Sequence, residues 1–363
     1  MPSVLFECHH LYYLPQFRPV IAEMQRRGGF DLAASMPQTI NRPEQEHFQA
    51  AIQSLGLEQI SAPSEAERVA AIRQRAFDAV LVGNVGRLEE IAATDSLAVM
   101  VYHGIGLKAS YYRDFSPRID LLAVESEERL EEWRRRGVSQ GVLTGMTKLD
   151  PLAGGPDLSP EKLGQLGLDP ARPTILYAPT FYPSSLLPAL TPLAALAGEI
   201  NIIIKLHQFS WTQRRYRHQS ILAAEMARRS GMVLIGPDDY DIVPWYQAAA
   251  ALVTDISSTL FEFLAVDRPI IRTTFTVRRL RHRLFPWRLR RRLDAERAAQ
   301  VDFAALAEQP AELGAVIKAE LDRPNRLQAE RTAARTRFLY HTDGKASARL
   351  VDAIVSRLEG RRS

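Results

Sequence analysis

Short apolar runs alternate with longer stretches of helical periodicity along the first 150 residues. The apolar runs have the length of buried strands and lie at 4–6, 32–34, 79–82, 97–102 and 121–124. The stretches between them favour amphipathic helices at 14–27, 44–55, 68–76 and 127–136. This alternation of strand and helix predicts a parallel sheet covered by helices on both faces.

The same pattern restarts after a stretch rich in proline and glycine. Strands are predicted at 174–177, 200–206, 233–235, 251–254 and 269–273, the last of the series, with helices at 219–229 and 242–249. We therefore predict two doubly wound α/β domains that face each other across a cleft. The predicted division is an acceptor-side domain over 1–150, a linker over 151–173, a donor-binding domain over 174–340, and a C-terminal helix over 341–363 that packs back on the first domain.

Composition restricts the class of protein further. The chain has 363 residues, of which 46% are hydrophobic and 24% charged, as expected for two globular domains. Cys8 is its one cysteine, so neither a disulfide framework nor a cysteine-based zinc site is expected. The sequence shows no signal peptide and no run of 18 apolar residues, so we expect a cytoplasmic protein whose membrane contacts are peripheral.

Two histidines follow predicted strands, where ligands bind in open α/β sheets. His103 precedes Gly104 and Gly106, which allow the backbone to approach a ligand closely, and His207 follows the strand at 200–206. Histidine suits general base catalysis near neutral pH. The alternative for each is a core histidine that is hydrogen-bonded to backbone.

A third segment places consecutive hydroxyl residues between a strand and an apolar helix that extends to residue 265. Asp255 or Ser257 is the predicted N-cap, and the hydroxyls with the free N–H groups at a helix start indicate a phosphate site. The alternative is a capping motif alone. Glu262, one turn into the helix, either accepts from a ribose hydroxyl or faces solvent. Thr180 lies in a Pro-Thr loop that closes the strand at 174–177.

Six segments of the chain carry residues that occur together, and in the same order, in a known protein family. They are His103, Gly104, Leu107 and Lys108; Gly145, Lys148 and Asp150; Tyr177 to Thr180; Leu206 and His207; Thr254, Asp255, Ser257, Ser258, Glu262 and Pro269; and Asp343, Gly344, Ala346, Ser347 and Arg349. From about residue 80 to residue 358 the chain thereby resembles the CDP-glycerol glycerophosphotransferase family, the polymerases and primases of teichoic acid synthesis. It departs from the family pattern at Ile105-Gly106, Thr147, Gln208 and Glu262, which leaves the transferred polyol and the acceptor open.

The resemblance implies a GT-B fold and a defined reaction. Glycerol phosphate, or a similar polyol phosphate, moves from a CDP-activated donor to the hydroxyl of a lipid-linked or polymer acceptor, and CMP leaves, in the synthesis of a teichoic acid or a capsule-like polymer. His103 is then the expected general base and His207 the ligand of the phosphoryl oxygens. The expected donor-binding residues are Lys108, Thr180, Thr254, Asp255, Ser257, Ser258 and Glu262. No cofactor and no metal are expected.

Two other functions stay open. A GT-B glycosyltransferase would use a nucleotide sugar and attack an anomeric carbon, although two histidines favour phosphoryl chemistry. A non-catalytic, membrane-docked binding module has no need for both histidines and both serines. The sequence gives no prediction of the oligomeric state.

A basic insertion at 276–294 contains eight arginines between positions 278 and 292. The expected membrane contacts are Arg278, Arg279, Arg281, Arg283, Phe285 and Trp287, with Pro286 splitting the segment into two short helices. Arginines interleaved with leucine, phenylalanine and tryptophan indicate contact with an anionic membrane, here the inner face of the cell membrane. Nucleic-acid binding, which we do not expect, and a solvated basic surface are the alternatives.

Overall fold

A computed structural model describes residues 1–102, 104–107, 114–155, 160–279, 282, 284, 285, 287 and 295–362. The described residues form two compact units. The first unit falls within residues 1–103, 112–154 and 337–363, and the second within residues 104–111 and 155–336. The chain therefore passes into the second unit after Gly154 and returns to the first inside the helix Gln328–Phe338.

The first unit is built on a parallel sheet of seven strands, counted within the described residues. The strand order is β3-β2-β1-β4-β5-β6-β7, so it reverses direction between β1 and β4. The strands are β1 (Ser3–Glu7), β2 (Asp31–Ser35), β3 (Glu58–Ile60), β4 (Ala79–Val82), β5 (Leu97–Val101), β6 (Leu121–Val124) and β7 (Gly141–Leu143).

The second unit repeats this plan with a parallel sheet that has six strands among the residues described. The order β10-β9-β8-β11-β12-β13 reverses between β8 and β11. The strands are β8 (Thr174–Ala178), β9 (Asn201–Ile204), β10 (Val233–Leu234), β11 (Ala251–Thr254), β12 (Ile270–Thr273) and β13 (Ala305–Ala307).

Helices connect the strands, and local sequence signals start several of them. The side chains of Asn41, Ser64 and Ser126 each accept the backbone N–H of the residue three positions on, as N-caps do. The α-helices are Leu14–Arg27, Arg42–Ser54, Glu65–Arg75, Leu88–Ile91, Glu127–Arg135, Pro160–Gln165, Leu186–Leu196, Phe209–Thr212, Arg217–Ser230, Val243–Ala248, Thr259–Glu262, Ala295–Ala299, Leu313–Asp322, Gln328–Phe338 and Ala346–Arg362. Single or double 3₁₀ turns lie at Leu11–Tyr13, Thr147–Gly154, Phe263–Val266 and Pro310–Glu312.

Each sheet has a core on its faces because most positions of its central strands are apolar. All residues of β4, β5 and β11 are buried, as expected when helices cover both faces of a parallel sheet. In the second unit, apolar side chains of Leu186–Leu196 and Arg217–Ser230 pack against those of β8 and β9. These cores hold the carboxyl ends of the strands, and the loops that follow them, in fixed positions.

The predicted fold class is confirmed, whereas several single elements were not predicted. The strands β3, β7 and β13 have three residues each and lie at sheet edges, where pairing with one neighbouring strand defines them rather than a long apolar run. The prediction that 269–273 is the last strand is wrong, because β13 pairs with β12 beyond it. The helix Leu186–Leu196 was missed because Pro188 and Pro192 interrupt its sequence.

Candidate functional site

The site in the second unit lies where its strand order reverses. The loops after β8 and β11 carry Thr180 and Asp255 and meet there, since the carboxyl ends of these neighbouring strands share one edge of the sheet. β9, on the other side of β8, leads to His207. The structure thus brings three separately predicted segments to one edge of one sheet.

Asp255 joins the loop after β11 to the loop after β8. Its Oδ1 accepts the backbone N–H of Thr180 at 2.8 Å, and its Oδ2 accepts the N–H and the hydroxyl of Ser185, each at 2.9 Å. The side chain is fully buried, and burial raises the pKa of this carboxyl to about 6, although the hydrogen bonds counteract the shift. Asp255 therefore fixes the shape of the loop rather than presenting a charge to solvent.

Ser185 is a site residue that the sequence did not suggest. Its hydroxyl lies 2.9 Å from the Tyr177 hydroxyl and 2.9 Å from Asp255. Burial raises the pKa of Tyr177 well above its ordinary value, so the phenol stays protonated. This chain of hydroxyls and carboxylate connects the Tyr177–Thr180 motif with the Asp255 motif. The available signal was a Ser-Ser pair directly ahead of an apolar stretch.

The two serines stand at the start of the helix Thr259–Glu262. Ser257 and Ser258 are half-buried, and the hydroxyl of Ser257 accepts the N–H of Thr259 at 3.4 Å. The N-cap is Ser258, so the prediction of Asp255 or Ser257 at that position is wrong: Asp255 bonds to the other loop instead. Thr254 is buried, and its hydroxyl donates to the Ala178 carbonyl at 2.8 Å.

Glu262 is fully buried in the second unit, which rules out its predicted alternative position in solvent. Its Oε2 accepts the Tyr246 hydroxyl at 2.7 Å. Burial and the neighbouring carboxylate raise the pKa of Tyr246 well above its ordinary range. The Tyr246 hydroxyl therefore keeps its proton and donates a hydrogen bond that orients the Glu262 carboxylate.

His207 is half-buried beside two phenylalanines. Its ring centroid lies 4.7 Å from that of Phe181 and 5.0 Å from that of Phe209. The Nδ1 atom accepts the backbone N–H of Phe209 at 3.1 Å, so a neutral ring carries its proton on Nε2. Phe181 follows Thr180 directly, and the loop that Asp255 holds therefore also sets the position of this histidine ring.

The chain segment after His103 also belongs to the second unit. Ile105 and Leu107 are buried, and Gly106 adopts a φ of 137° beside the start of the serine helix. A methyl group at position 106 would lie 3.2 Å from the Phe261 ring and 3.7 Å from the Ser258 Cα. His103 and Lys108 lie outside the described residues.

Two of the six motifs meet in the first unit and act as structural elements there. Asp150 accepts the N–H groups of Ala346 at 2.9 Å and Ser347 at 2.7 Å, which caps the helix Ala346–Arg362. Gly145 has a φ of 87°, and a side chain there would approach the Tyr340 carbonyl to 2.6 Å. The sequence alone did not show that these two motifs have structural roles, unlike the motifs expected to contact the donor.

The basic segment contacts the body of the second unit through one of its arginines. The guanidinium of Arg279 lies over the rings of Tyr182, 4.3 Å away, and Tyr216, 5.1 Å away. The hydroxyl of Tyr182 lies 2.5 Å from Nδ1 of the buried His282. Arg279 is thus engaged within the protein, in addition to its predicted membrane contact.

Other side chains of this segment face outward. Arg278 is exposed, Phe285 is 40% exposed and Trp287 is 51% exposed. The rings of Phe285 and Trp287 contact each other edge to face, with 5.1 Å between their centroids. Arg281, Arg283 and the predicted break at Pro286 lie outside the described residues. In the part of the chain that the structure describes, no helix has the length and apolarity to cross a membrane, and no group of three metal-ligating side chains is present.

Comparison with solved structures defines the class to which this fold belongs. The wall teichoic acid polymerase TagF matches with a TM-score of 0.67 and 18% identity over 100% of this chain and 90% of that one. The MnaA–UDP structure from S. aureus matches with a TM-score of 0.64 and 14% identity, over 99% of this chain and 97% of that one. UDP-GlcNAc 2-epimerase from Neisseria meningitidis, bound to UDP-GlcNAc, gives 0.61 and 14%, over 98% and 100%. The protein thus has the two-domain GT-B fold.

The family follows from the sequence match. Residues 118–356 match the model of the CDP-Glycerol:Poly(glycerophosphate) glycerophosphotransferase family, and this chain belongs to that family of transferases. The resemblance stated from the six motifs is thereby confirmed. No curated protein matches the chain.

Proposed function

We propose that the protein transfers glycerol phosphate, or a closely similar polyol phosphate, from a CDP-activated donor to a hydroxyl of a teichoic-acid-like acceptor. The observation that carries this proposal is the junction of two family motifs through Asp255 at the reversal point of the second sheet. TagF, whose fold the chain shares, has been studied in a variant soaked with CDPG. The acceptor is lipid-linked or polymeric, and the enzyme works at the inner face of the cell membrane.

The donor is proposed to bind at the loops after β8 and β11. Helix starts favour phosphate because the backbone N–H groups there point toward the ligand and the helix dipole is positive. Ser257 and Ser258 add two half-buried hydroxyls at such a start. Thr180 and Thr254 hold the two loops together, since the Thr180 N–H donates to Asp255 and the Thr254 hydroxyl donates to the Ala178 carbonyl. Glu262 is proposed to accept from a ribose hydroxyl. Lys108 is proposed to pair with a donor phosphate.

The chemical step is a displacement at the distal phosphorus of the donor. His103 takes the proton of the acceptor hydroxyl, the hydroxyl oxygen forms a bond to phosphorus, and the bond from phosphorus to the CMP oxygen breaks. His207 donates a hydrogen bond from Nε2 to the phosphoryl oxygens as negative charge shifts toward the leaving group. No cofactor takes part in this proposal.

A binding series tests the donor class directly. Calorimetric titration of the full chain with CDP-glycerol, CDP-ribitol, UDP-GlcNAc and CMP is expected to give binding of CMP and of at least one CDP-polyol. Transfer is then followed by CMP release in the presence of a glycerol phosphate oligomer. Binding of UDP-GlcNAc with none of CDP-glycerol would support the glycosyltransferase alternative and contradict our proposal.

The serine pair gives a prediction for the donor site. The double variant Ser257→Ala with Ser258→Ala is expected to bind CMP and the CDP-donor about tenfold or more weakly, since two hydrogen bonds to an anion are lost. Because both serines are half-buried and only one weak bond to Thr259 is removed, the melting temperature should change little. Ser230→Ala is the control, as this serine bonds only within its own helix. Unchanged affinity in calorimetry would place the pyrophosphate elsewhere.

The basic segment is proposed to hold the enzyme on an anionic membrane. Exposed Phe285 and Trp287 can enter the headgroup region, while the neighbouring arginines pair with lipid phosphates. Arg279 is a poor choice for mutagenesis, because its guanidinium is packed between Tyr182 and Tyr216 and its loss would also disturb the fold.

Charge reversal at Arg278, Arg281 and Arg283 to Glu is expected to release the protein from anionic liposomes, since each basic side chain near such a surface contributes about 1 kcal/mol. Transfer to a lipid-linked acceptor should slow far more than transfer to a short soluble analogue. Co-sedimentation with anionic and neutral liposomes measures the release from the membrane. Nucleic acid added as a competitor tests the alternative that the basic segment binds nucleic acid. Arg228→Glu with Arg229→Glu is the matched control, because both lie exposed at a helix end of the same unit. Sedimentation that the reversal does not alter would contradict membrane docking.

A further inference from the structure

We infer that the first unit holds a separate polar site, formed by His9, Gln16 and Asn84, which binds the hydroxyl-bearing end of the acceptor. The inference rests on the proposed function and adds the part of the molecule that recognises the second substrate. Residues 8–16 and 83–87 precede the region that the family model matches, which begins at residue 118, and none of the six motifs includes them.

The position of this site follows from the topology of the first sheet. Its strand order reverses between β1 and β4, and His9 follows β1 while Asn84 follows β4. Gln16 lies in the first turn of the helix Leu14–Arg27, which comes after β1. Carboxyl ends at such a reversal form the crevice in which open α/β sheets bind ligands.

Three buried polar atoms in this place have no hydrogen-bond partner among the described residues. They are Nδ1 of His9, Oε1 of Gln16 and Oδ1 of Asn84. The Gln16 residue is fully buried. A buried polar atom left without a partner typically costs about 1–3 kcal/mol, so three of them on the segments that follow β1 and β4 call for a ligand that pairs with them.

Two glycines in the loop after β4 allow these side chains to approach its backbone closely. A methyl group at position 86 would lie 1.8 Å from Nε2 of His9 and 2.7 Å from Oδ1 of Asn84, so both atoms surround the bare Gly86 backbone. A methyl group at position 83 would lie 2.8 Å from the Gln16 amide nitrogen. The packing of these polar side chains against the loop after β4 therefore depends on the absence of side chains at these two positions.

The hydrogen bonds already formed decide what each remaining atom does. Nε2 of His9 accepts the N–H of Arg87 at 3.3 Å, and burial lowers the pKa of the ring to about 4, so the neutral ring carries its proton on Nδ1. The Asn84 amide nitrogen donates to the Tyr13 hydroxyl at 2.7 Å, which leaves Oδ1 as an acceptor. The Gln16 amide nitrogen donates to the Val101 carbonyl at 3.4 Å, which leaves Oε1 as an acceptor.

One donor and two acceptors match a ligand with hydroxyl groups, since a hydroxyl both donates and accepts. A phosphate or carboxylate anion only accepts and would leave both amide oxygens unpaired. A metal cation would leave the His9 N–H unpaired. The contact of Gln16 with Val101 places the site against the end of β5, two residues before His103 in the chain. The hydroxyl end of a polyol or sugar acceptor fits this chemistry.

Calorimetry with two acceptor analogues tests the inference without any donor. The probes are a synthetic glycerol phosphate dimer with free terminal hydroxyls and the same dimer with those hydroxyls methylated. Gln16→Leu and Asn84→Leu are each expected to weaken binding of the free dimer about tenfold, the effect of one hydrogen bond. The methylated dimer should bind the wild type as weakly as the free dimer binds the variants. Gln25→Leu is the control, an exposed glutamine on the same helix as Gln16.

Stability separates a ligand site from a structural role. Gln16→Leu removes the unpaired oxygen together with the long 3.4 Å bond to the Val101 carbonyl, so its melting temperature is expected to change little. A lower melting temperature with unchanged affinity would overturn the inference, as would equal affinity of the wild type for both dimers or no binding of the free dimer. Failure of the proposed function gives a different result. The dimer would then bind in a way that depends on Gln16, but no CMP would be released from CDP-glycerol.

Discussion

Replacement of His103 by alanine is expected to slow phosphoryl transfer by about 10²–10⁴, because the acceptor hydroxyl then loses its proton to water instead of to a positioned base. Donor binding should persist, since the Ser257/Ser258 loop is unaltered. The protein should also stay folded, as the four residues that follow His103, Gly104 to Leu107, are all buried without it. CMP release with a soluble glycerol phosphate oligomer, together with calorimetry of CMP binding, measures the two effects separately.

His218→Ala is the matched control for this prediction, because that histidine is exposed on the helix Arg217–Ser230 and should not influence turnover. A His103→Gln variant extends the test: it retains hydrogen bonding but does not accept a proton near neutral pH, so it should be as slow as the alanine variant. Turnover at the wild-type rate in either variant would remove His103 from the mechanism.

The central part of the fold is predictable from sequence because burial on both faces of a parallel sheet requires apolar residues at every position. Ala79–Val82 meets this requirement at every position and Ala251–Thr254 at all but Thr254, and both strands were placed correctly. Edge strands are not under this requirement: in Ala305–Ala307, whose three residues are apolar, the central Leu306 is 48% exposed, so one side of the strand is solvated. Such strands form through pairing with β12, a contact that the local sequence does not encode.

The candidate site was predictable in its residue types but not in the division of tasks among them. Asp255 and Thr180 are 75 positions apart, and the sequence order of the motifs suggested that both touch the donor. The hydrogen bonds instead make Asp255 the residue that holds the loop. Arg279 is a similar case. Its place in a basic run predicted lipid contact, and the structure adds a contact of its guanidinium with Tyr182 and Tyr216. These tyrosines lie 97 and 63 positions earlier in the chain, so the local sequence does not reveal the contact.

Removal of the Asp255 carboxylate is expected to have the largest effect on folding. Asp255→Ala leaves the buried N–H groups of Thr180 and Ser185 without an acceptor, and each such loss costs about 1–3 kcal/mol. The free energy of unfolding of the second unit should therefore fall by about 2–5 kcal/mol, and donor affinity should fall with it as the loop loosens. The Ser185 hydroxyl is less affected, because it retains Tyr177. Hydrogen exchange of the β8 and β11 amides, with calorimetry of CMP binding, reports both losses.

The pH dependence of stability identifies the same carboxyl in the wild type. Burial raises the pKa of Asp255 to about 6, above its value of about 4 in an unfolded chain. Below pH 4 the group is protonated in both states. Between about pH 4 and 6 the unfolded chain releases a proton that the folded one retains, so this group's contribution to stability falls by about 3 kcal/mol as the pH rises, and is constant above that range. Asp255→Asn does not titrate. The melting temperature of the wild type relative to Asp255→Asn should therefore decline from pH 4 to pH 6.5 and then level off; a difference that stays constant over this range would mean that the buried carboxyl is ionised throughout.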